Sequence, residues 1–482
     1  MRQTISSIIA DRAARTPDEV LVVDEAGELT ARELEESATR LAVELRARGV
    51  RQDDLVAVSL PNGRDFVIAC AAIWKAGATP QPVSAALTDD ERSRVEAVAR
   101  PAAAIGRRPR SAGVAWFPSV SAPATAQALP DLAAASWKAP TTSGSTGTPK
   151  IVRATAPALL DPTRPVADFL PMRAVQLVAG PMTHSATFTY AFRGLLTGHR
   201  LIVLPRFDER AWLDAVERHG VTWALVVPTM MHRLLRVPAA EREPARLRSI
   251  ESLLHMGAPC GVDLKRAFLD WIGAERVVEV YAGSESNGLT MIRGDEWLDR
   301  PGSVGRPIGG TEISIRRPGG ALCGHDEVGE IWMRRGQHAP YEYIGASSRR
   351  DDEGWDTLGD LGSVDADGYL FLRDRSDDVI NRGGEKIYPA VVEAVLEQHP
   401  AVRSVVVFGV DDEALGKRVE AVVDIGASTV AESELVTWAR ERLGVRAPEG
   451  IRLVREPVRS DAGKTSRRSW AAAAVPGRIS TA

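Results

Sequence analysis

Apolar and polar positions follow two periods along this chain, and the periods alternate in a regular order. Thr30-Ala31-Arg32-Glu33 opens a stretch in which Leu34, Ala38, Leu41, Ala42 and Leu45 recur at helical spacing. That is a capping-box start on an amphipathic helix, which Gly49 ends. The run Leu55-Val56-Ala57-Val58-Ser59-Leu60 predicts a buried strand, and 65–75 predicts a helix closed by Gly77. Strands alternating with helices in this way predict a parallel or mixed sheet with helices on its faces. The rhythm resumes with a strand over 174–178, a helix over 186–196, a strand over 200–204, a helix over 209–219 and a strand over 222–227. Pro228-Thr229-Met230 then opens a further helix. Between the two blocks, 103–138 is rich in Ala, Pro, Ser and Arg and reads as irregular. Beyond about residue 300 the pattern turns β-rich, with Gly302, Gly305, Gly309, Gly310, Gly319, Gly320 and Gly329 as punctuation for a compact β subdomain. Residues 378–482 return to mixed α+β, with helices over 389–398 and 431–443 and strands over 402–409 and 420–424. The charged run Arg373-Asp374-Arg375-Ser376-Asp377-Asp378 separates the two parts as a linker, and no internal repeat is visible.

Length agrees with that division, because 482 residues exceed one ordinary domain and suit a large domain plus a smaller one. Hydrophobic residues make up 44% and charged residues 26%, the balance of a globular protein with an ample core. The net charge of −4 comes from 60 basic and 64 acidic side chains, so bulk electrostatics call for neither a nucleic acid nor an anionic membrane. Apolar stretches such as 66–74 fall far short of a membrane span. Residues 1–20 carry Arg2, Asp11, Arg12, Arg15 and Asp18 and no apolar core, so no secretory signal is expected. Cys70, Cys260 and Cys323 have neither metal-ligand nor disulfide spacing, and buried free thiols in a reducing cytoplasm are expected. Lysines are scarce beside arginines, which draws the eye to Lys150, Lys386 and Lys464.

Thr141-Thr142-Ser143-Gly144-Ser145-Thr146-Gly147-Thr148-Pro149-Lys150 carries the strongest chemical signal. Its glycines let backbone N–H groups approach a bulky anion, its hydroxyls add donors, and Lys150 adds a compact cation. A flexible linker has similar composition, but the closing Pro-Lys and the apolar flanks argue for a phosphate loop. It is not a Walker A loop, since Thr148-Pro149 separates Gly147 from Lys150 and Ile151 follows.

From Thr142 to Lys150 the loop resembles the signature of the adenylate-forming enzymes, the superfamily of acyl-CoA ligases, peptide-synthetase adenylation domains and luciferases. Further motifs resemble that family in order, and the look is closest to acyl-CoA ligases. The resemblance implies that Thr142, Ser143, Gly144, Ser145, Thr146, Gly147 and Lys150 hold ATP phosphates. It implies that Gly257, Ala258 and Pro259 form the turn beside adenine. In Tyr281-Ala282-Gly283-Ser284-Glu285 it puts Tyr281 on adenine, Ser284 on the α-phosphate and Glu285 on Mg²⁺; read on its own, this segment is equally a turn with a solvated carboxylate. This sequence has Ala282-Gly283 where Gly-x is usual. Thr357-Leu358-Gly359-Asp360 resembles the segment whose Asp accepts from both ribose hydroxyls, although Gly-Asp is also a common hairpin turn. Arg375 is implied to reach the ribose, and Asp377 to be the hinge residue.

Gly383-Gly384 resembles the segment that lines the acceptor tunnel of CoA ligases, and a plain β-turn is the alternative. Gly463-Lys464 resembles the C-terminal motif whose lysine bridges the carboxylate and the α-phosphate, though a terminal Gly-Lys is otherwise a surface feature. His184, in Pro181-Met182-Thr183-His184, is implied to contact the acid, with a structural histidine as the alternative. No Asp lies between Pro181 and Phe192, which disfavours an ordinary α-amino acid.

The implied fold is α/β: a large N-terminal core domain (1–374) of helix-flanked mixed β-sheets with a β-rich subdomain, a hinge (375–378) and a small mobile α+β C-terminal domain (379–482). The implied activity is ATP- and Mg²⁺-dependent activation of a small-molecule acid to an acyl adenylate and pyrophosphate, with Lys464, Glu285, Ser284 and His184 at the reacting centre and CoA as co-substrate. The alternatives are an amine or carrier-protein acceptor, including nitrite adenylation for diazotisation of an arylamine. A silent nucleotide-binding relative is disfavoured by intact Glu285, Asp360 and Lys464. No nucleic-acid or membrane partner is expected, and a monomer or homodimer is.

Overall fold

Thr30 starts its helix as the capping pattern requires. Its hydroxyl accepts from Glu33 N–H while the Glu33 carboxylate accepts from Thr30 N–H at 2.8 Å, and the helix runs Ala31–Ala47. A computed structural model describes residues 1–123, 127–143, 149–460, 463 and 465–474. Its largest sheet has nine strands, ordered Arg306–Pro307, Leu289–Arg293, Val277–Ala282, Ser252–His255, Trp223–Val226, Val175–Val178, Arg200–Val203, Val20–Asp24 and Gly27–Thr30. Six of them, from Val277–Ala282 to Val20–Asp24, are mutually parallel, and the outer strands are antiparallel. Parallel strands aim all their carboxyl ends at one edge, where ligands of open α/β sheets bind. From that edge emerge the helix Pro228–Leu235, the turn at Gly257 and the loop after Ala282.

A four-stranded parallel sheet, ordered Thr79–Pro82, Leu55–Ser59, Ala103–Gly106 and Ala115–Phe117, forms the second layer. It corrects the expectation that 103–138 is irregular throughout. Ala103, Ala104 and Ile105 are a short buried run that completes the sheet, too brief to show a period. The β-rich subdomain is a four-stranded antiparallel sheet, ordered Thr311–Arg316, Gly329–Arg335, Asp356–Val364 and Leu370–Arg375. The three cysteines are free, but only Cys70 is buried; Cys260 and Cys323 are half-buried, because each follows a turn at a sheet edge and not a core strand. Among the described residues no helix is long and apolar enough to cross a membrane.

The charged run is more ordered than a linker. Arg373–Arg375 finishes the strand Leu370–Arg375, and Ser376–Asp378 is a single 3₁₀ turn. The following unit packs Pro389–Glu397 and Glu432–Leu443 on the sheet Ser404–Asp412, Gly416–Asp424 and Gly450–Val454. It encloses a core of its own, including Val392, Leu396, Val405, Val423, Leu435 and Ile451. Its contacts with the large unit include polar ones: Arg236 donates to the Val402 and Pro400 carbonyls, a His232 ring nitrogen lies 3.1 Å from the Arg403 carbonyl, and Gln398 donates to Asp263 at 2.7 Å. Arg467 ties the two sides of the 3₁₀ turn together, with Asp378 at 2.7 Å, Glu393 at 2.8 Å and Asp374 at 3.8 Å.

Candidate active site

The glycine-rich stretch is carried on a hairpin. Thr141–Ser143 and Pro149–Ala154 pair antiparallel, with Thr142 opposite Lys150, and Tyr341–Ile344 adds a third strand beside Pro149–Ala154. Gly144, Ser145, Thr146 and Gly147 lie outside the described residues, as does Lys464. Lys150 Nζ donates to the Tyr343 hydroxyl at 2.7 Å and lies 3.4 Å from Glu285 Oε1. Tyr343 in turn donates to that oxygen at 2.5 Å. Burial, and then the Glu285 charge, push the Tyr343 hydroxyl far above its ordinary range, so it stays a donor. Among the described residues Glu285 Oε2 takes no hydrogen bond. The loop after Ala282 turns sharply here, with Ser286 in the left-handed region at φ 55°.

A second cluster lines the same cleft. Asp360 and Arg375 face each other on neighbouring strands. Asp360 Oδ2 accepts from the Tyr281 hydroxyl at 2.7 Å, and Oδ1 accepts from Arg375 Nε at 3.2 Å. Arg375 also donates to the Leu358 carbonyl at 2.8 Å. Burial would weaken the Arg375 charge, but Asp360 and Asp378 outweigh it and hold the guanidinium more firmly protonated than usual. A carboxylate has about four lone-pair sites, so each Asp360 oxygen keeps capacity for another donor.

Both clusters face one cleft of about 2460 Å³, which Thr142, Ser284 and Asp377 also line. Gly257, Ala258 and Pro259 form part of its wall, and Gly257 takes φ 95°, a conformation that favours glycine. His184 lines the cleft at the start of the helix Ser185–Leu196. From the small unit, Gly463 reaches the same wall: a Cβ built on it would sit 3.5 Å from Thr229 Oγ1 and 3.8 Å from Ala258 Cβ. Ser143 belongs to the hairpin strand.

Gly383 and Gly384 are not among the residues that line this cleft. They form the exposed turn of the hairpin Ile380–Arg382 and Glu385–Ile387, at φ 56° and 89°, because two successive left-handed residues reverse the chain there.

The model of the AMP-binding enzyme family matches residues 9–340, and that of the AMP-binding enzyme C-terminal domain matches residues 391–464. The chain belongs to the AMP-binding enzyme family. It is an AMP-forming, adenylate-forming ligase of the acyl-CoA-synthetase kind. Among its relatives are a 2-succinylbenzoate–CoA ligase of Bacillus licheniformis, 30% identical over 95% of this chain and 98% of the relative. A feruloyl-CoA synthase of Amycolatopsis is 32% identical over 96% of this chain and 97% of its own length. Among solved structures, o-succinylbenzoate CoA synthetase of Bacillus subtilis in complex with its acyl-adenylate intermediate aligns with a TM-score of 0.81, 26% identity and 98% coverage of each chain.

Within this AMP-binding enzyme, three cleft residues escape motif reading. Tyr343 becomes visible only when Tyr341–Ile344 docks beside the loop hairpin. Lys138 and Arg193 line the cleft near His184. The one local signal for this pair is a lysine, scarce in this chain, four residues ahead of Thr142.

Proposed function

We propose that this cleft binds ATP and a carboxylic acid, joins them as an acyl adenylate with release of pyrophosphate, and then passes the acyl group to CoA. One observation carries the reading: a Lys–Tyr–Glu cluster and a Tyr–Asp–Arg cluster line a single cleft. The first suits a polyphosphate. Lys150 offers positive charge, and Glu285, which lines the cleft and takes no hydrogen bond on Oε2 from a described residue, is left for Mg²⁺. Among the described residues no three His, Cys, Asp or Glu side chains gather to hold a metal. A hard cation here would therefore take Glu285 and phosphate oxygens, the ordinary habit of Mg²⁺, and would neutralise charge building on the phosphates. The second cluster suits a nucleoside, with spare Asp360 acceptor capacity for ribose hydroxyls and the Tyr281 ring beside Gly257-Ala258-Pro259 for adenine.

Ser284 is assigned to the α-phosphate and His184 to the acid. Lys464 is assigned to the developing charge between them, where an ammonium favours the anionic transition state over the ground state. Residues 1–374 supply the nucleotide grip, and 379–482 rotate about Asp377 between the two half-reactions. The test is acid-dependent exchange of labelled pyrophosphate into ATP, followed by thioester formation when CoA is added. Exchange that needs both Mg²⁺ and acid, with thioester appearing on CoA addition, is the expected result. Nucleotide binding with no exchange across a broad acid panel would overturn adenylation, and exchange without thioester would move the acceptor away from CoA.

A further inference from the structure

The acid end of the cleft holds two cations, buried Lys138 and half-buried Arg193, that the adenylation chemistry does not use. Lys138 is only 5% exposed. Its Nζ donates to Ser185 Oγ at 3.0 Å and to Thr189 Oγ1 at 2.7 Å, two neutral acceptors. Arg193 follows Ser185 and Thr189 at four-residue steps on the helix Ser185–Leu196, and its guanidinium stacks on Trp137 at 4.1 Å from the ring centroid. Among the described residues neither cation has a carboxylate within 4.0 Å. Glu285 acts on Lys138 only through space. The backbone that carries them is pinned: Trp137 N–H donates to the Ala156 carbonyl, the Lys138 carbonyl accepts from Ala154 N–H, and the Trp137 carbonyl accepts from the Trp74 indole at 2.8 Å.

Buried charges are ordinarily paired, because removing an ion from water costs more than neutral hydrogen bonds return. Burial, with Arg193 nearby, lowers the Lys138 ammonium to about 7, and burial lowers Arg193 to about 10. These are cations short of a counter-charge. A methionine or leucine would fill the same space without that penalty. Lys138 has one N–H donor left over, and Arg193 offers five that no described residue engages. All of these side chains line the cleft that also contains His184 and Glu285.

We infer that Lys138 and Arg193 form a subsite for a second anionic group, so that the acid activated is dianionic, with one carboxylate at the reacting centre and another carboxylate or comparable anion on this wall. The inference rests on the adenylation reading above and narrows its substrate class. Anionic acids then replace the missing counter-charge, whereas an acid with a neutral far end leaves both cations without one. Discrimination should be strong, as it is wherever a site's buried polar groups lose their partner.

Matched pairs test this: glutarate against its monoamide, adipate against its monoamide, and terephthalate against its monoamide, with nitrite as a small-anion arm. Two readouts are taken on the wild-type protein, Lys138→Met, Lys138→Arg and Arg193→Gln. One is the ligand-induced shift in melting temperature with acid and AMP, which needs no turnover; the other is KM for acid in pyrophosphate exchange. At least one dianion should half-saturate at a concentration at least tenfold below its monoamide. Lys138→Met should raise the KM for that dianion at least tenfold more than the KM for the monoamide, and Lys138→Arg should recover part of the difference. Without ligand, Lys138→Met should melt no lower than the wild type, since it relieves an unpaired buried charge. Equal handling of dianion and monoamide by the wild type would overturn the subsite, as would a Lys138→Met effect equal on both. Activity with nitrite and with no dianion would overturn it as well. Dianion-selective melting shifts with no exchange would keep the subsite and sink the adenylation reading; exchange with monoanions alone would do the reverse.

Discussion

Asp360 has one partner on each carboxylate oxygen, the Tyr281 hydroxyl on one side and Arg375 on the other. It is therefore the residue through which the ring and the guanidinium are held at their working positions. A carboxylate that receives ribose hydroxyls acts in the ground state and the transition state alike, so its loss falls on binding. Asp360→Ala is expected to raise the apparent KM for ATP by about ten- to a hundredfold, with a smaller change in kcat, since hydrogen bonds to a charged group contribute roughly 1.5–3 kcal/mol. Initial rates at varied ATP check this; an unchanged KM with collapsed turnover would give Asp360 another role. Tyr281 is expected to stay neutral in the variant, because burial is the larger cause of its raised hydroxyl pKa and the Asp360 charge the lesser.

At the scale of elements, the 3₁₀ turn Ser376–Asp378 is the short connector between the strand Leu370–Arg375 and the small unit. Proline at Asp377 fixes φ near −65° and removes a backbone donor. A 3₁₀ turn tolerates that value, but a second backbone arrangement does not. Asp377→Pro is expected to retain adenylate formation in pyrophosphate exchange and to lose thioester formation on the same preparation; equal loss of both would make the turn purely structural.

Elements were legible in the sequence where an end signal met a long period. Glu209–His219 is bounded by the Asp208 cap and by Gly220 in the left-handed region, where both residues stand in plain view. The helix Asp89–Ala99 has an equally good Thr88–Glu91 box, but so many of its positions are polar that no apolar stripe marks it. Likewise Ala103–Gly106 becomes a strand only because Leu55–Ser59 offers it an edge, and Ala115–Phe117 only because Ala103–Gly106 offers the next one. The site divides the same way. Glu285, Asp360 and Arg375 sit in contiguous motifs that local text reveals. Tyr343 meets Glu285 through a strand pairing between segments some 190 residues apart, which no local pattern can announce.

For the whole molecule, the junction between units depends heavily on Arg467. It binds Asp378 and Glu393 and lies near Asp374, and these carboxylates are what raise the guanidinium above its usual pKa against the effect of burial. Removing it would take the ion-pair partner from Asp374 and Asp378, while Glu393 keeps Arg459 at 2.7 Å. Breaking a buried pair from one side costs on the order of 3 kcal/mol. Arg467→Met is therefore expected to lower the melting temperature of the small unit by several degrees, seen in calorimetry as an earlier or separate transition. A single unchanged transition would show that the junction draws its strength elsewhere.

The small unit encloses its own hydrophobic core, and that has a thermodynamic consequence. Turning it against the large unit, as the proposed two-step reaction requires, need not open that core to water, so a second orientation would differ from this one chiefly in the contacts exchanged at the junction. At about 1 kcal/mol net for each ordinary hydrogen bond, a few such contacts put two basins within a few kcal/mol of each other. A gap of that size lies within the reach of one ligand that prefers one basin by a hundredfold. Nucleotide, adenylate and acceptor, arriving in turn, could each tilt the balance, and the order of chemical steps would then be written in successive population shifts of a nearly level landscape.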